Sequence, residues 1–349
     1  MRALVAMSGG VDSSVAAALL LRAGHDVVGV TLKLWSGPNG EAPTAGCCTV
    51  SDAEDARRVA AQLDIPYYVL DYRAEFHDGV VDRFIRDYTS GRTPNPCIEC
   101  NRTVKFDRLL RSLGDFDTEI LATGHHARTR VEAGSCRLYR GADRAKDQSY
   151  VLSMLTQSEL SRCRFPVGEL TKAEVRSMAA NMGLRTAHKP ESMDICFVGR
   201  RDYREFVRDT APEAFQAGAI VDTGGAEIGG HDGIAGFTVG QRRGLGVAVG
   251  EPRFVIRVEP ATATVVVGRR EDLAVAGLSL RDVSWVSGEA ASGRLLAQYR
   301  AHGDPVPATL HGDRLLFDLG QEGVAPGQTV AFYDGERVLG GGLIAGTFA

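Results

Sequence analysis

At 349 residues the chain exceeds the usual size of one domain, so two or three are expected. With 44% hydrophobic and 24% charged residues it can bury ordinary cores, and a formal charge of −4 argues against a nucleic-acid binder that is basic all over. The longest apolar run near the start, Val15–Leu21, is too short to span a bilayer, and Met1–Met7 runs into Ser8-Gly9-Gly10 instead of a secretory cleavage site. A cytoplasmic protein without a membrane partner is expected. Its charge is unevenly spread. From His126 to Arg208 there are 16 Lys+Arg against 10 Asp+Glu, whereas Gly277–Ala349 holds 5 against 8. A polyanion would be drawn to the middle of the chain, although a solvated arginine-rich surface gives the same count.

In chain order, Ala3–Met7 reads as a short buried strand, followed by a glycine turn and an Ala/Leu-rich helix to Arg22, closed by Gly24. Val27–Leu32 reads as the next strand, and Ser36–Gly46 as a Gly/Pro-rich loop. Ser51 and Glu54 predict a capping box for a helix with apolar Ala56, Val59, Ala60 and Leu63. Tyr67–Leu70 and Glu119–Ala122 are further buried-strand candidates, and Thr171 with Glu174 caps a helix ending near Gly183. This alternation predicts an α/β fold, a parallel sheet covered by helices, with ligands at the carboxyl ends of its strands. After Arg208 glycines crowd Gly218–Gly250. Short β-rich runs follow: Phe254–Val258, Thr264–Val267, Leu278–Val286, Thr329–Tyr333 and Val338–Ile344, with Asp334-Gly335 as a hairpin signal. The expected organisation is a catalytic domain over 1–205, a small central domain over 206–275 and a C-terminal β-barrel over 276–349.

Ser8-Gly9-Gly10-Val11-Asp12-Ser13 lies between a strand and a helix. Glycines there let several N–H groups converge, and the helix start adds positive dipole character, which suits a pyrophosphate. The lysine-bearing GxxxxGK[ST] pattern and the dinucleotide GxGxxG pattern are both missing. The stretch resembles the SGGxDS motif of the PP-loop ATP pyrophosphatases, which transfer AMP from ATP to a carbonyl-type oxygen; Asp12 is a candidate Mg²⁺ ligand.

Seven cysteines in such a chain favour catalysis or metal binding over a disulfide framework. Thr93–Asn101 places Cys97 and Cys100 in a proline-stiffened loop before a basic helix start, Arg102–Lys105, and nearby cations raise the thiolate fraction. Cys196 follows the polar loop His188–Glu191. A sulfur-transfer pair of Cys100 and Cys196 competes with a metal or iron–sulfur site built on Cys97, Cys100 and Cys196, with Cys47 or Cys48 ambiguous. Sulfur transfer is favoured because a zinc site normally shows a second close CxxC or His pair. Cys136 and Cys163 read as buried, inert thiols.

Met7–Val15, Thr93–Pro96 with Cys100-Asn101 and Lys105-Phe106, Ala122–His125, Lys146–Tyr150, Ser192–Phe197 and Phe237–Gly246 together resemble the bacterial tRNA-specific 2-thiouridylase family along the whole chain. That resemblance implies ATP held by Ala6, Met7, Ser8, Gly9, Gly10, Val11, Asp12 and Ser13, with Leu32 and Gly124 on the adenosine side. It implies Cys100 as nucleophile and Cys196 as persulfide carrier, with Asn95, Pro96 and Cys97 facing the target base. His125, Lys146, Asp147, Gln148, Tyr299, Arg300 and Gln328 would contact tRNA. The implied cofactors are ATP and Mg²⁺, with no tightly bound organic cofactor. The implied partners are Lys, Glu and Gln tRNAs and a cysteine desulfurase or sulfur-relay protein. Cys97 stands where some members carry Asp, and Leu32 where many carry Met. A PP-loop synthetase acting on a small metabolite and a cysteine-metal RNA-binding module are the alternatives.

Overall fold

The computed structural model describes residues 1–37, 49–190, 195–199 and 201–349. Cys47, Cys48 and Ser192–Asp194 therefore lie outside the described residues. The N-terminal unit is built on five parallel strands: β1 (Arg2–Ala6), β2 (Asp26–Lys33), β3 (Tyr67–Asp71), β4 (Ile120–Thr123) and, after the hairpin described below, β7 (Cys163–Arg164). Their order is β3-β2-β1-β4-β7, so β1 is central and pairs with β2 and β4 on its two sides. Burial on both faces explains why β1 and β4 read as unbroken apolar runs. β3 is one of the two edge strands, and Tyr68 and Val69 are half exposed, so Tyr67–Leu70 is a strand but not a buried one.

Helix α1 (Val11–Arg22) follows β1 directly and buries Val11, Val15, Ala16, Ala17 and Leu20. Its small alanines allow close approach to the sheet and to the helix Lys172–Asn181. Helix α2 (Val50–Gln62) starts earlier than the sequence suggested. Thr49 accepts from the Asp52 amide while Asp52 accepts from Thr49. The capping box is thus Thr49/Asp52, and Glu54 instead pairs on the surface with Arg57 and Arg58. The Thr171/Glu174 box forms as expected.

Between β4 and β7 an unforeseen hairpin, β5 (Ala127–Glu132) and β6 (Ser135–Arg140), turns through Ala133-Gly134. Its strands are arginine-rich and its turn lacks the usual Asn-Gly or Asp-Gly signal. The central unit is the sheet β8 (Gly218–Asp222), β9 (Glu227–His231), β10 (Phe254–Glu259) and β11 (Thr264–Gly268), over a core that includes Ile220, Phe237, Leu245 and Val255. The last six strands are β12 (Ala274–Trp285), β13 (Gly293–Gln298), β14 (Val306–His311), β15 (Arg314–Glu322), β16 (Thr329–Asp334) and β17 (Arg337–Phe348). They run β12-β15-β14-β13-β16-β17, and β17 pairs back with β12, closing a barrel that leaves no free edge around the ring. Asp334-Gly335 makes the β16–β17 turn. β6 joins the barrel sheet through Arg337↔Tyr139 and Val338↔Leu138, tying the first unit to the last. Among the described residues no helix is long and apolar enough to cross a membrane.

Candidate functional site

The loop between β1 and α1 is shaped for an anion. Gly9 has φ +72°, and a Cβ there would lie 2.1 Å from the Asp52 carbonyl oxygen, so the loop is pressed against the start of α2. The N-cap of α1, Gly10, has no side chain with which to cap the first amides of the helix. These N–H groups face the loop mouth, where a phosphate would be the natural acceptor. The hydroxyls are orderly. Ser13 Oγ accepts from the Ser8 amide at 3.2 Å and donates to the Gly10 carbonyl, as does Ser14 Oγ at 2.8 Å. Opposite, Gly124 at the end of β4 comes so close to α1 that a Cβ would sit 2.5 Å from the Ser13 amide nitrogen. Leu32 is buried in the core on β2.

Asp12 is the electrostatic centre of this loop. Lys172 Nζ donates to its two carboxylate oxygens at 2.6 and 2.8 Å, and His126 Nε2 lies 3.1 Å from one of them. Because a carboxylate only accepts, that imidazole nitrogen carries the proton. Burial alone would raise the Asp12 pKa, but the hydrogen bonds from His126 and Lys172 and their charge outweigh it and hold it below the usual carboxylate value. Asp12 with the Ser8 and Ser13 hydroxyls supplies the hard oxygen donors that Mg²⁺ takes, and the ammonium of Lys172 marks a position where positive charge is held. Lys172 was not singled out in the sequence. The signal was available, since Thr171 caps a second helix whose first residue is Lys172.

His125 is within hydrogen-bond distance of Thr123 Oγ1, at 2.7 Å, and packs between Phe106 and Phe165. Burial, reinforced by the positive charge of Lys105, lowers its pKa to about 3, so the ring is neutral at physiological pH. Gln148 accepts from the His126 amide. Asp147 accepts from Arg140, from the Gly141 amide and from Ser149, holding the turn that carries Lys146.

The cysteine segment differs from expectation. Cys97 and Cys100 are not in a loop but within a helix that begins at Pro96, with Asn95 Oδ1 accepting from the Ile98 amide as its cap. Proline at the first helical position starts the helix without losing a needed donor. From Cys100 to Phe106 the helix widens to π geometry, a rare form that concentrates at functional sites, before returning to α at Asp107. Cys97 is exposed and Cys100 buried. Arg102 pairs with the buried Glu99, which also binds Arg83. Cys196 lies in a turn, and Phe197 beside it is wedged among Trp35, Phe76, Phe84 and Phe206. Cys100 and Cys196 pack on the same apolar core despite 95 intervening residues. Cys136 and Cys163 are buried, and desolvation raises both thiol pKa values, as expected of inert thiols.

The barrel grips the segment ahead of the cysteine helix. Thr93 donates its amide to the Pro326 carbonyl, and Gln328 Nε2 donates to the carbonyls of Thr93 and Pro94 at 2.9 and 3.1 Å. Gly91, on the other side, lies so near the central unit that a Cβ there would sit 3.0 Å from the Val258 and Pro260 side chains. Tyr299 donates to Gln321, and the Arg300 guanidinium lies over the Tyr299 ring and donates to the Glu322 carbonyl. Gln328 thus meets main chain ahead of Cys100. Replacing it with leucine is expected to destabilise the fold by about 1–3 kcal/mol, because two side-chain hydrogen bonds to the Thr93 and Pro94 carbonyls disappear. Denaturant unfolding of the variant checks this; a wild-type midpoint would refute it.

A parallel sheet with a glycine–serine loop shaped for an anion at its central strand defines an α/β protein, here joined to a β-barrel. Residues 1–200 match the family described as tRNA methyl transferase HUP domain, 204–269 its PRC-barrel domain, and 275–344 the aminomethyltransferase beta-barrel domain. The tRNA-specific 2-thiouridylase MnmA of Roseiflexus castenholzii is 47% identical and that of Chloroflexus aurantiacus 50%, each match covering 98% of both chains. The chain belongs to the tRNA-specific 2-thiouridylase family. Among solved structures, a 4-thiouridine synthetase–RNA complex with bound ATP is similar at 18% identity and a TM-score of 0.38, covering 61% of this chain and 51% of that one.

Proposed function

We propose that this protein is a tRNA uridine 2-sulfurtransferase that activates the wobble uridine of Lys, Glu and Gln tRNAs with ATP and delivers sulfur from a persulfide on Cys196. The observation that supports the reading is that Cys100 and Cys196 both pack on one apolar core, in the unit that also holds the Ser8–Ser13 loop.

The C2 oxygen of uracil is a poor leaving group, so it must first be converted into a phosphate ester. The amides at the start of α1 and the hydroxyls around Gly10 would bind the phosphates of ATP and orient the α-phosphate toward that oxygen. Mg²⁺, held by Asp12, would neutralise charge gathering on pyrophosphate. Lys172, displaced from Asp12 when nucleotide binds, would move its ammonium to a phosphate. The base must leave the anticodon stack to reach the site, and Asn95, Pro96 and Cys97 would face it. The terminal sulfur of the Cys196 persulfide then attacks C2, AMP departs, and C2 is linked to Cys196 through two sulfurs. Cys100 thiolate attacks the Cys196 sulfur, releasing 2-thiouridine and leaving a Cys100–Cys196 disulfide that an external dithiol reduces.

A cysteine desulfurase or relay protein would load Cys196. The deciding experiment is nucleoside mass spectrometry of undermodified tRNA incubated with protein, ATP, Mg²⁺ and a sulfur source. Appearance of 2-thiouridine with equimolar AMP is expected. Its absence with folded protein would overturn the reading.

A further inference from the structure

The turn within Phe237–Gly246 has no part in the nucleotide or sulfur chemistry, yet it is firmly built. Phe237 and Leu245 are buried at its two ends. The Gln241 side chain accepts from the Thr238 amide and donates to the Arg243 carbonyl, bracing the turn from inside. Its base is stitched to β10 by two main-chain bonds between Gly240, Gln241 and Val255.

What this scaffold presents is positive charge. Arg242 and Arg243 are exposed at the tip, and among the described residues neither forms an ion pair. Arg242 lines a groove of about 250 Å³ with Gly244–Val247, Glu251 and Arg253. Glu251, its one acid, is already paired with Arg253 at 2.9 Å and Arg269 at 3.2 Å, so the groove keeps a net positive charge. Gly244 and Gly246 have φ +74° and +71°, which turns the backbone sharply. Among the described residues no amide from Arg242 to Gly250 donates to a main-chain carbonyl. Arginine forks beside amides that donate to no main-chain carbonyl among the described residues suit an anion, and phosphate is the ligand that fits both.

Location narrows the source of that phosphate. Gly240 abuts Gly323 of the barrel, and a Cβ at Gly323 would meet Arg300. The turn and Arg300 therefore share one rim, at the junction where the segment ahead of Cys100 is held by both other units.

We propose that the Arg242–Arg243 turn grips the sugar–phosphate backbone of the tRNA substrate, fixing its register without reading bases. The inference rests on the thiolation reading and adds a contact surface to it. Phosphate contacts of this kind release counterions, so each lowers the dependence of affinity on salt when removed.

The test is tRNA binding by the full chain over a salt series from about 50 to about 300 mM KCl, with thiolation assayed on the same preparations. For Arg242→Gln/Arg243→Gln, the slope of log affinity against log salt should fall by about 1 to 2, and affinity by on the order of tenfold. ATP affinity and the melting temperature should stay at wild-type values, and Arg242→Lys/Arg243→Lys should keep most of the slope. An unchanged slope in a folded glutamine variant, with wild type binding and thiolating tRNA, overturns the proposal. So does a loss of ATP affinity with tRNA affinity intact, which would assign the turn to nucleotide. Wild-type protein that neither binds nor thiolates tRNA would instead overturn the thiolation reading.

Discussion

Serine at position 196 is expected to abolish thiolation, by on the order of 10³-fold or more, while tRNA-dependent release of pyrophosphate from ATP continues. A hydroxyl cannot carry a transferable sulfur, whereas the nucleotide loop lies on a separate strand–helix turn and is untouched. Cys100→Ser should be equally inactive in turnover but different in kind. Without the resolving thiolate, tRNA should accumulate joined to Cys196 and be released by dithiothreitol. Gel analysis with and without reductant separates the two variants. Cys97, exposed one helical turn before Cys100, has no sulfur to carry in this scheme, so Cys97→Ser should accumulate no reductant-sensitive adduct. Full activity in Cys196→Ser would remove the persulfide mechanism altogether.

Gly9→Ala should cost nearly all ATP binding, at least about 100-fold, whereas Gly10→Ala should fold almost normally. The two glycines are neighbours with opposite demands. Gly9 is left-handed, which costs another residue about 1–2 kcal/mol, and its Cβ would collide with a main-chain carbonyl that cannot swing away. Either the loop or α2 must shift, and displacement on the order of 1 Å in a phosphate-binding loop is enough for a 10²-fold loss. Gly10 has φ −89°, and its Cβ would meet only Ser8 Oγ at 3.5 Å, an ordinary contact. Calorimetric titration with ATP and thermal melting of both variants measure the contrast. Wild-type ATP affinity in Gly9→Ala would show that the loop does not hold phosphates.

Much of the catalytic unit was legible because its signals are local. A strand, a glycine turn and an alanine-rich helix must follow one another within a few residues, and Ser8–Ser13 does so. The misreadings were also local in origin. Thr49 competed with Ser51 for the cap of α2, and only the hydrogen bonds of Asp52 decide between them. Pro94 and Pro96 suggested a stiff loop, but Pro96 sits where a helix tolerates proline, so both cysteines are helical.

The sequence alone determined the alternation of strands and helices, the glycine–serine turn between the first strand and helix, the positions of the cysteines proposed to carry sulfur and the family resemblance, because each depends on residue type and short spacing. Tertiary structure alone decided that Cys196 packs on the core of Cys100, that Lys172 and His126 converge on Asp12, and that Gln328 holds the carbonyls ahead of the cysteine helix. Those pairs are 96, 160, 114 and more than 230 positions apart. No periodicity extends so far along a chain; only strand order, helix packing and barrel closure bring such residues onto one core or into contact.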